Sequence, residues 1–414
     1  MQKVKSNSNG KANTSPPRHG TNSRRLRRKL AYALRVIPSC GWQRLTRRLP
    51  RGKVHLILSL ADHFEPAIVP EDGHARAAYD EQEQRLQRWC DQYPDVVQEW
   101  RDHDGRPFIH TYFYPAEQYD RGLVGRLAEH CRAGWGEIEI HLHHGIPSPD
   151  TATNLRSTLA TFRDVLAFEH GCLSRLDDDT GPRFAFVHGN FALANSAGGF
   201  GCGVDEEMQI LAEVGCFADL TLPTNPFHPA QSAKINSLYE CRPPLIERAA
   251  YRSGRDLATG RSPGKFPLMI QGPLMVTLDY SGRRHVRIDN GSFTAPNPPT
   301  LERLSLWKRA TIRVQGRPDW LFIKLHCHGM DPTQEDSVLG GSFSHFLELM
   351  VGGAEERDEI LHFVSAREMV NVILAACDGR EGNPGDYRDY RFKPWKQSSD
   401  YGAVRGASQA RGNG

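Results

Sequence analysis

No aspartate or glutamate occurs before Asp62, although Lys and Arg take 15 of the first 61 positions. Removing those 15 from 52 basic residues leaves 37 against all 49 acidic ones, so a basic arm precedes an acidic body. Such an arm can contact anionic lipid or polysaccharide, with nucleic acid the weaker partner, or simply be solvated. Long hydrophobic runs are also missing. No stretch reaches the roughly 18–20 apolar residues of a membrane span. Leu30 to Ile37 is interrupted by Arg35 and lies too deep behind the charged arm to resemble a signal peptide. No integral membrane segment is therefore expected. The nine cysteines contain no CxxC pair and no zinc-ribbon spacing, which suits reduced thiols in a cytoplasmic protein. A Walker loop, a GxGxxG following a strand, GxSxG and HExxH are all absent, which removes support for those enzyme classes.

What remains is a repeated pattern: an apolar run that ends in Asp, Glu or His and then a breaker. It occurs at Ser59–Pro66, Glu137–Gly145 and Phe322–Gly329. In the second, Glu137, Glu139, His141 and His143 alternate with Ile138, Ile140 and Leu142, so as a strand its polar side chains share one face. Imidazole and carboxylate are the usual ligands of zinc and its neighbours, so a buried polar face of this kind predicts a metal site. Three ligands and an open position are met by Asp62, His141 and His143, with His144 an alternative because the chain can turn at Gly145.

Strands alternate with helices along the chain: strands near 54–60, 108–114, 137–143, 183–188, 216–222 and 320–328, and helices near 74–101, 118–133, 153–175, 204–214, 302–314, 343–349 and 366–376. This order predicts parallel strands joined by helical crossovers, with reacting groups at their C-terminal ends. Residues 224–300 break the rhythm and are expected to form an insertion, a cover carrying a hairpin of 266–270 with 274–280. Residues 1–50 are expected to be a largely disordered arm, with a short basic helix ending near Pro38. Residues 51–378 would form the main domain and 379–414 a disordered polar tail.

Other residues attach to this frame. His326 and His328 share a strand face, and His326 is the expected acid, ahead of His328. Cys327, between them, is expected in the core. His188-Gly189-Asn190 is a candidate substrate-binding turn, and Asp219 is a carboxylate inside an apolar strand that needs a partner. His110, Tyr112 and Tyr114 either line a sugar cleft or fill a barrel interior.

The ordered motifs from Val54 to His328 resemble the polysaccharide deacetylase family, carbohydrate esterase family 4 and its relatives. Asp62 falls where that family has the second carboxylate of an Asp-Asp pair, and Ala61 replaces the first, the usual base. Glu137–His141 is similar to the family's histidine motif, although the position four beyond His141 is Gly145, so the second ligand must be His143 or His144. Gly215–Thr221 is similar to a further family strand, and Leu325-His326 to the closing motif that supplies the acid. His188-Gly189-Asn190 stands where the family has an arginine motif. The resemblance implies a distorted (β/α) barrel holding a divalent metal, zinc by its donor set, and an activity that removes N-acetyl or other acyl groups from a carbohydrate substrate. His63, Glu65 or Glu139 would replace the missing base, and Asp219 and His328 would line the substrate site. The alternatives are a glycoside hydrolase using Glu65, Glu139 or Asp219, and a carbohydrate-binding descendant without activity.

Overall fold

The computed structural model describes residues 22–70, 72, 75–177, 181–246, 248–279 and 285–395, and the disorder expected of 1–21 and 396–414 lies outside them. The apolar runs become one ten-stranded sheet. Its strands are β1 (Val54–His63), β2 (His110–Pro115), β3 (Gly136–Leu142), β4 (Phe184–His188), β5 (Cys216–Asp219), β6 (Leu238–Glu240), β7 (Arg255–Asp256), β8 (Leu268–Ile270), β9 (Trp320–Cys327) and β10 (Glu359–Phe363). Their lateral order is β9-β1-β2-β3-β4-β5-β8-β6-β7, with β10 beside the first half of β1. All pairs are parallel except β6 with β7 and β6 with β8.

Among the described residues eight α-helices accompany the sheet: α1 (Asn22–Thr46), α2 (Tyr79–Val97), α3 (Arg121–His130), α4 (Ala152–Asp164), α5 (Glu207–Glu213), α6 (Leu301–Arg309), α7 (Gly341–Gly352) and α8 (Ala366–Cys377). Strand alternation divides the core. Leu56, Leu58, Leu60, Tyr112, Tyr114, Ile138 and Ile140 pack in one cluster with Trp89 of α2, Leu127 of α3 and Leu159 of α4. Ile57, Ala61, Phe113, Val187 and Phe322 face the other way, onto Met369, Val370 and Ile373 of α8.

That second face explains a departure from the expected barrel. All 12 residues of α8 are buried, so a helix occupies the inner face. Arg367, at its start, pairs with Glu137 at 2.6 Å, and Ser365 Oγ donates to the same carboxylate. Arg367 is buried while Glu137 is half-buried, so the pair anchors α8 from the edge of the core. The sheet curls far enough for Lys324 Nζ on β9 to donate to Leu220 O after β5, at 2.8 Å. Among the described residues no ladder closes it.

Three expected boundaries move. The strand at 268–270 joins β5 in the main sheet, and the hairpin is instead Met275–Asp279 with His285–Asp289. The chain leaving that hairpin is fixed by the buried Arg303–Asp289 pair at 2.7 Å, and Ser292 then bridges to His326. Residues 379–395 are folded, not a free tail: Arg388 pairs with Asp102 and Asp104, and Phe392 stacks on Phe217. Helix α1 continues through Pro38, because Ser39 Oγ, Gln43 Nε2 and Arg47 Nη1 donate to the carbonyls of Ala233, Ile235 and Asn236.

Candidate metal centre

Where β1, β3 and β9 end, their inward side chains meet at Glu65. Its Oε1 lies 3.0 Å from His143 Nε2 and 3.5 Å from His141 Nε2, and its Oε2 lies 3.1 Å from His328 Nδ1. The tautomers follow from the outer contacts. His141 Nδ1 lies 2.9 Å from Val187 O, and His143 Nδ1 lies 2.7 Å from Glu117 Oε1. A carbonyl and a carboxylate only accept, so both Nδ1 atoms carry the proton that they donate. The two Nε2 atoms are turned toward Glu65. This is the outer support that metal-binding histidines use.

The two histidines then differ. Burial opposes a proton on His143, but the flanking Glu117 and Glu65 push its pKa up to about 10. Burial lowers the pKa of His141, whose Nε2 has no hydrogen-bond partner among the described residues. A buried lone pair therefore faces a carboxylate oxygen, an arrangement that a proton or a metal ion on Nε2 relieves. Ligand atoms bonded at about 2.1 Å in a tetrahedron stand roughly 3.4 Å apart, close to the two spacings at Glu65. The side chains of His143 and His328 are 31% and 34% exposed, so the cluster opens to solvent on their side.

Further imidazoles surround it. The His63 ring lies 4.7 Å from that of His141, 4.6 Å from that of His328 and 6.4 Å from that of His326. Burial, then the neighbouring histidines, hold the His63 pKa well below its ordinary value, and its Nδ1 is unpaired among the described residues. Burial opposes a charge on His328, but Glu65 raises its pKa. Burial and Lys324 hold the His326 pKa well below the usual range, a direction that favours its neutral form. Despite its burial, the Glu65 carboxyl is held well below the ordinary carboxylate range by the histidines around it.

Asp62 and His144 were expected ligands, and neither joins this cluster. Asp62 follows Leu58 and Leu60 onto the outer face of β1. There it lies 3.0 Å from His110 Nε2 and accepts the Gly329 N–H at 2.7 Å. It pins the turn after His328, and a Cβ on Gly329 would come within 2.4 Å of its Oδ2. Cys327 is buried beside it, as expected. His144 lies beyond the strand end, 2.9 Å from Asp150 and 3.2 Å from Glu207, which push its pKa up to about 12 against burial.

His188 belongs with His144, not with the open cluster. The Asn190 N–H donates to its Nδ1, so its proton sits on Nε2, 3.8 Å from Glu207 Oε1. With Cys202 these side chains form a second group whose ligand atoms lie within 4.8 Å of one another. Asn190 donates to His144 O and Gly201 O and so braces the loop. Asp219 accepts from the Thr221 N–H and hydroxyl, and burial pushes its pKa up to about 7. Tyr112 and Tyr114 pack against the helices, outside any cleft, and Glu139 accepts the Ala185 N–H inside the fold.

Four such groups of ligand-type side chains exist among the described residues: those at Glu65, Glu207 and Asp62, and Asp102 with Asp104 and His362. In the last, Arg388 already neutralises both carboxylates. Sequence reasoning missed Glu117, although it too is an acid just past a strand end, at Pro115. All nine cysteines are free. No protein-family model and no curated protein matches this chain.

Proposed function

We propose that the protein is a divalent-metal hydrolase, with zinc as the metal, that removes N-acetyl or related acyl groups from a sugar or polysaccharide. The scaffold would be an opened barrel of the polysaccharide deacetylase type. The carrying observation is the buried His141 Nε2 lone pair turned toward Glu65 beside His143. Glu65, His141 and His143 would hold the ion, which when bound polarises an acyl carbonyl and acidifies water.

The remaining steps belong to the chain's own side chains. His63, whose pKa burial lowers, takes the proton of the attacking water at its free Nδ1. His328, whose pKa Glu65 raises, gives its proton to the leaving amine as the C–N bond breaks, releasing acetate. Environments that push two titratable groups apart assign base and acid in this way. Ala61 stands opposite His326 in the parallel register, so no carboxylate is present at the family's base position. Glu139 sits deeper, and burial pushes its pKa well above the ordinary value. A glycosidase needs two available carboxylates. Glu65 is ringed by imidazoles, and Glu139 and Asp219 are engaged within the fold, so that reading has less support.

Metal analysis and acetate release from N-acetylated amino-sugar polymers test the proposal. One metal per chain and acetate without new reducing ends are expected. His63→Ala and His328→Ala should each lower kcat by roughly 10²–10⁴-fold with metal retained. Absence of stoichiometric metal, or full activity in a Glu65→Gln/His143→Ala double variant, overturns it.

A further inference from the structure

Thirteen large apolar side chains are exposed among the described residues, and six of them are Leu30, Leu34, Ile37, Trp42, Leu45 and Leu49. On helix α1 the positions 30, 34, 37 and 45 fall within an arc of about 80° at 3.6 residues per turn, with Trp42 flanking it. Leu34, Ile37 and Trp42 are 62%, 56% and 69% exposed. The opposite side holds the contacts to the body: Val36 is buried with Ile235 and Leu274, and Ser39 and Gln43 donate to backbone carbonyls. The helix is thus docked by one face and presents a row of apolar side chains on the other.

Its charge selects the partner. Arg35 and Arg44 are exposed on it and Arg48 just past its end, and no acidic residue precedes Asp62. A second copy of the helix would oppose like charges. A nucleic acid would match the charge but leave the leucines and Trp42 in water. An anionic lipid surface receives both, acyl carbon against the apolar row and headgroups against the arginines. No helix among the described residues is long and apolar enough to cross a membrane, so the fitting geometry lies in the interface plane. We propose that α1 is an in-plane anchor that seats this protein on an anionic bilayer. This inference stands independently of the chemistry at Glu65.

The full chain is sedimented with vesicles of phosphatidylcholine alone and with added phosphatidylglycerol, at low and high salt. Binding is expected only with the anionic lipid, and salt should weaken it. Arg44→Gln/Arg48→Gln should reduce partitioning about 25-fold, at about five-fold per basic residue. Leu34→Ser/Ile37→Ser/Trp42→Ser should abolish it. Should that triple variant fold poorly, the Trp42→Phe protein serves instead: quenching by brominated lipid should be lost in it and present in the parent. Several outcomes overturn the proposal. These are no binding, binding indifferent to lipid charge, binding unchanged in the folded triple variant, equal quenching in Trp42→Phe, and a lipid-free dimer that the triple variant dissolves.

Discussion

Glu65 Oε1 and His143 Nε2 approach to 3.0 Å from β1 and β3, two strands separated by β2. The contact spans a strand because Glu65 lies two residues beyond the end of β1, where the chain has left the pleat and a longer side chain can reach sideways. Asp62, still inside the strand, is held to the outer face. The carboxylate that completes the histidine pair is therefore the one past the strand end.

This geometry separates two carboxylates that sequence alone leaves equivalent. Glu65→Gln should lose stoichiometric metal while the fold survives. Asp62→Asn should keep the metal and lose about 1–3 kcal/mol of stability, because the Gly329 N–H and His110 lose a charged acceptor. Metal content by atomic absorption and denaturant melts measure the two. Metal lost in Asp62→Asn and retained in Glu65→Gln would reverse the assignment.

A second prediction concerns the wall behind His143. A Cβ on Gly189 would lie 2.3 Å from His143 Cδ2 and 2.6 Å from its Nε2. Gly189→Ala must therefore rotate the ring away from Glu65 or displace the β4 turn. Overpacking of this kind costs about 1–3 kcal/mol, and metal affinity should fall at least about ten-fold, the loss expected when a ligand's orientation is disturbed. Chelator competition checks it, and unchanged affinity would show that Gly189 does not set the ring.

Much of this arrangement was legible because period-two alternation is local. Ile138 and Ile140 do face the helices while Glu139 and His141 face inward. The same alternation assigns Asp62 to the side of Leu58 and Leu60, and it prevails over the family resemblance. Glu65 was legible as a candidate acid but not as the carboxylate that meets the histidine pair, since its reach depends on a turn outside any periodic element. Glu117 acts through His143, 26 residues away, and nothing near it in sequence signals that contact. That the expected distorted barrel is not closed among the described residues was hidden for a similar reason. The apolar Ala366–Cys377 run reads equally well as an outer helix or as one filling the inner face. The polar 379–395 segment gives no local sign of Asp102 and Asp104, the distant partners that hold Arg388.

The last prediction follows from Asp219, buried on the strand that faces Lys324. Burial pushes its carboxyl up to about 7 from 3.8, although Thr221 donates to both oxygens and Lys324 opposes the rise. With the folded value above the unfolded one, the folded chain binds a proton that the unfolded chain has released between those two pH values. Stability from this group is therefore fully present below about pH 3.8, falls as pH rises toward 7, and is flat above. Asn cannot ionise and removes that slope, at the constant cost of one acceptor for Thr221. The stability of Asp219→Asn relative to the parent should rise between pH 4 and pH 7 and then level off. Burial also lowers the Lys324 pKa to about 7, so its own contribution changes on the alkaline side, from pH 7 upward. Urea melts of both proteins across pH 4 to 9 measure the difference. A difference that stays flat through the acidic window would mean that Asp219 is ionised throughout, paired with Lys324.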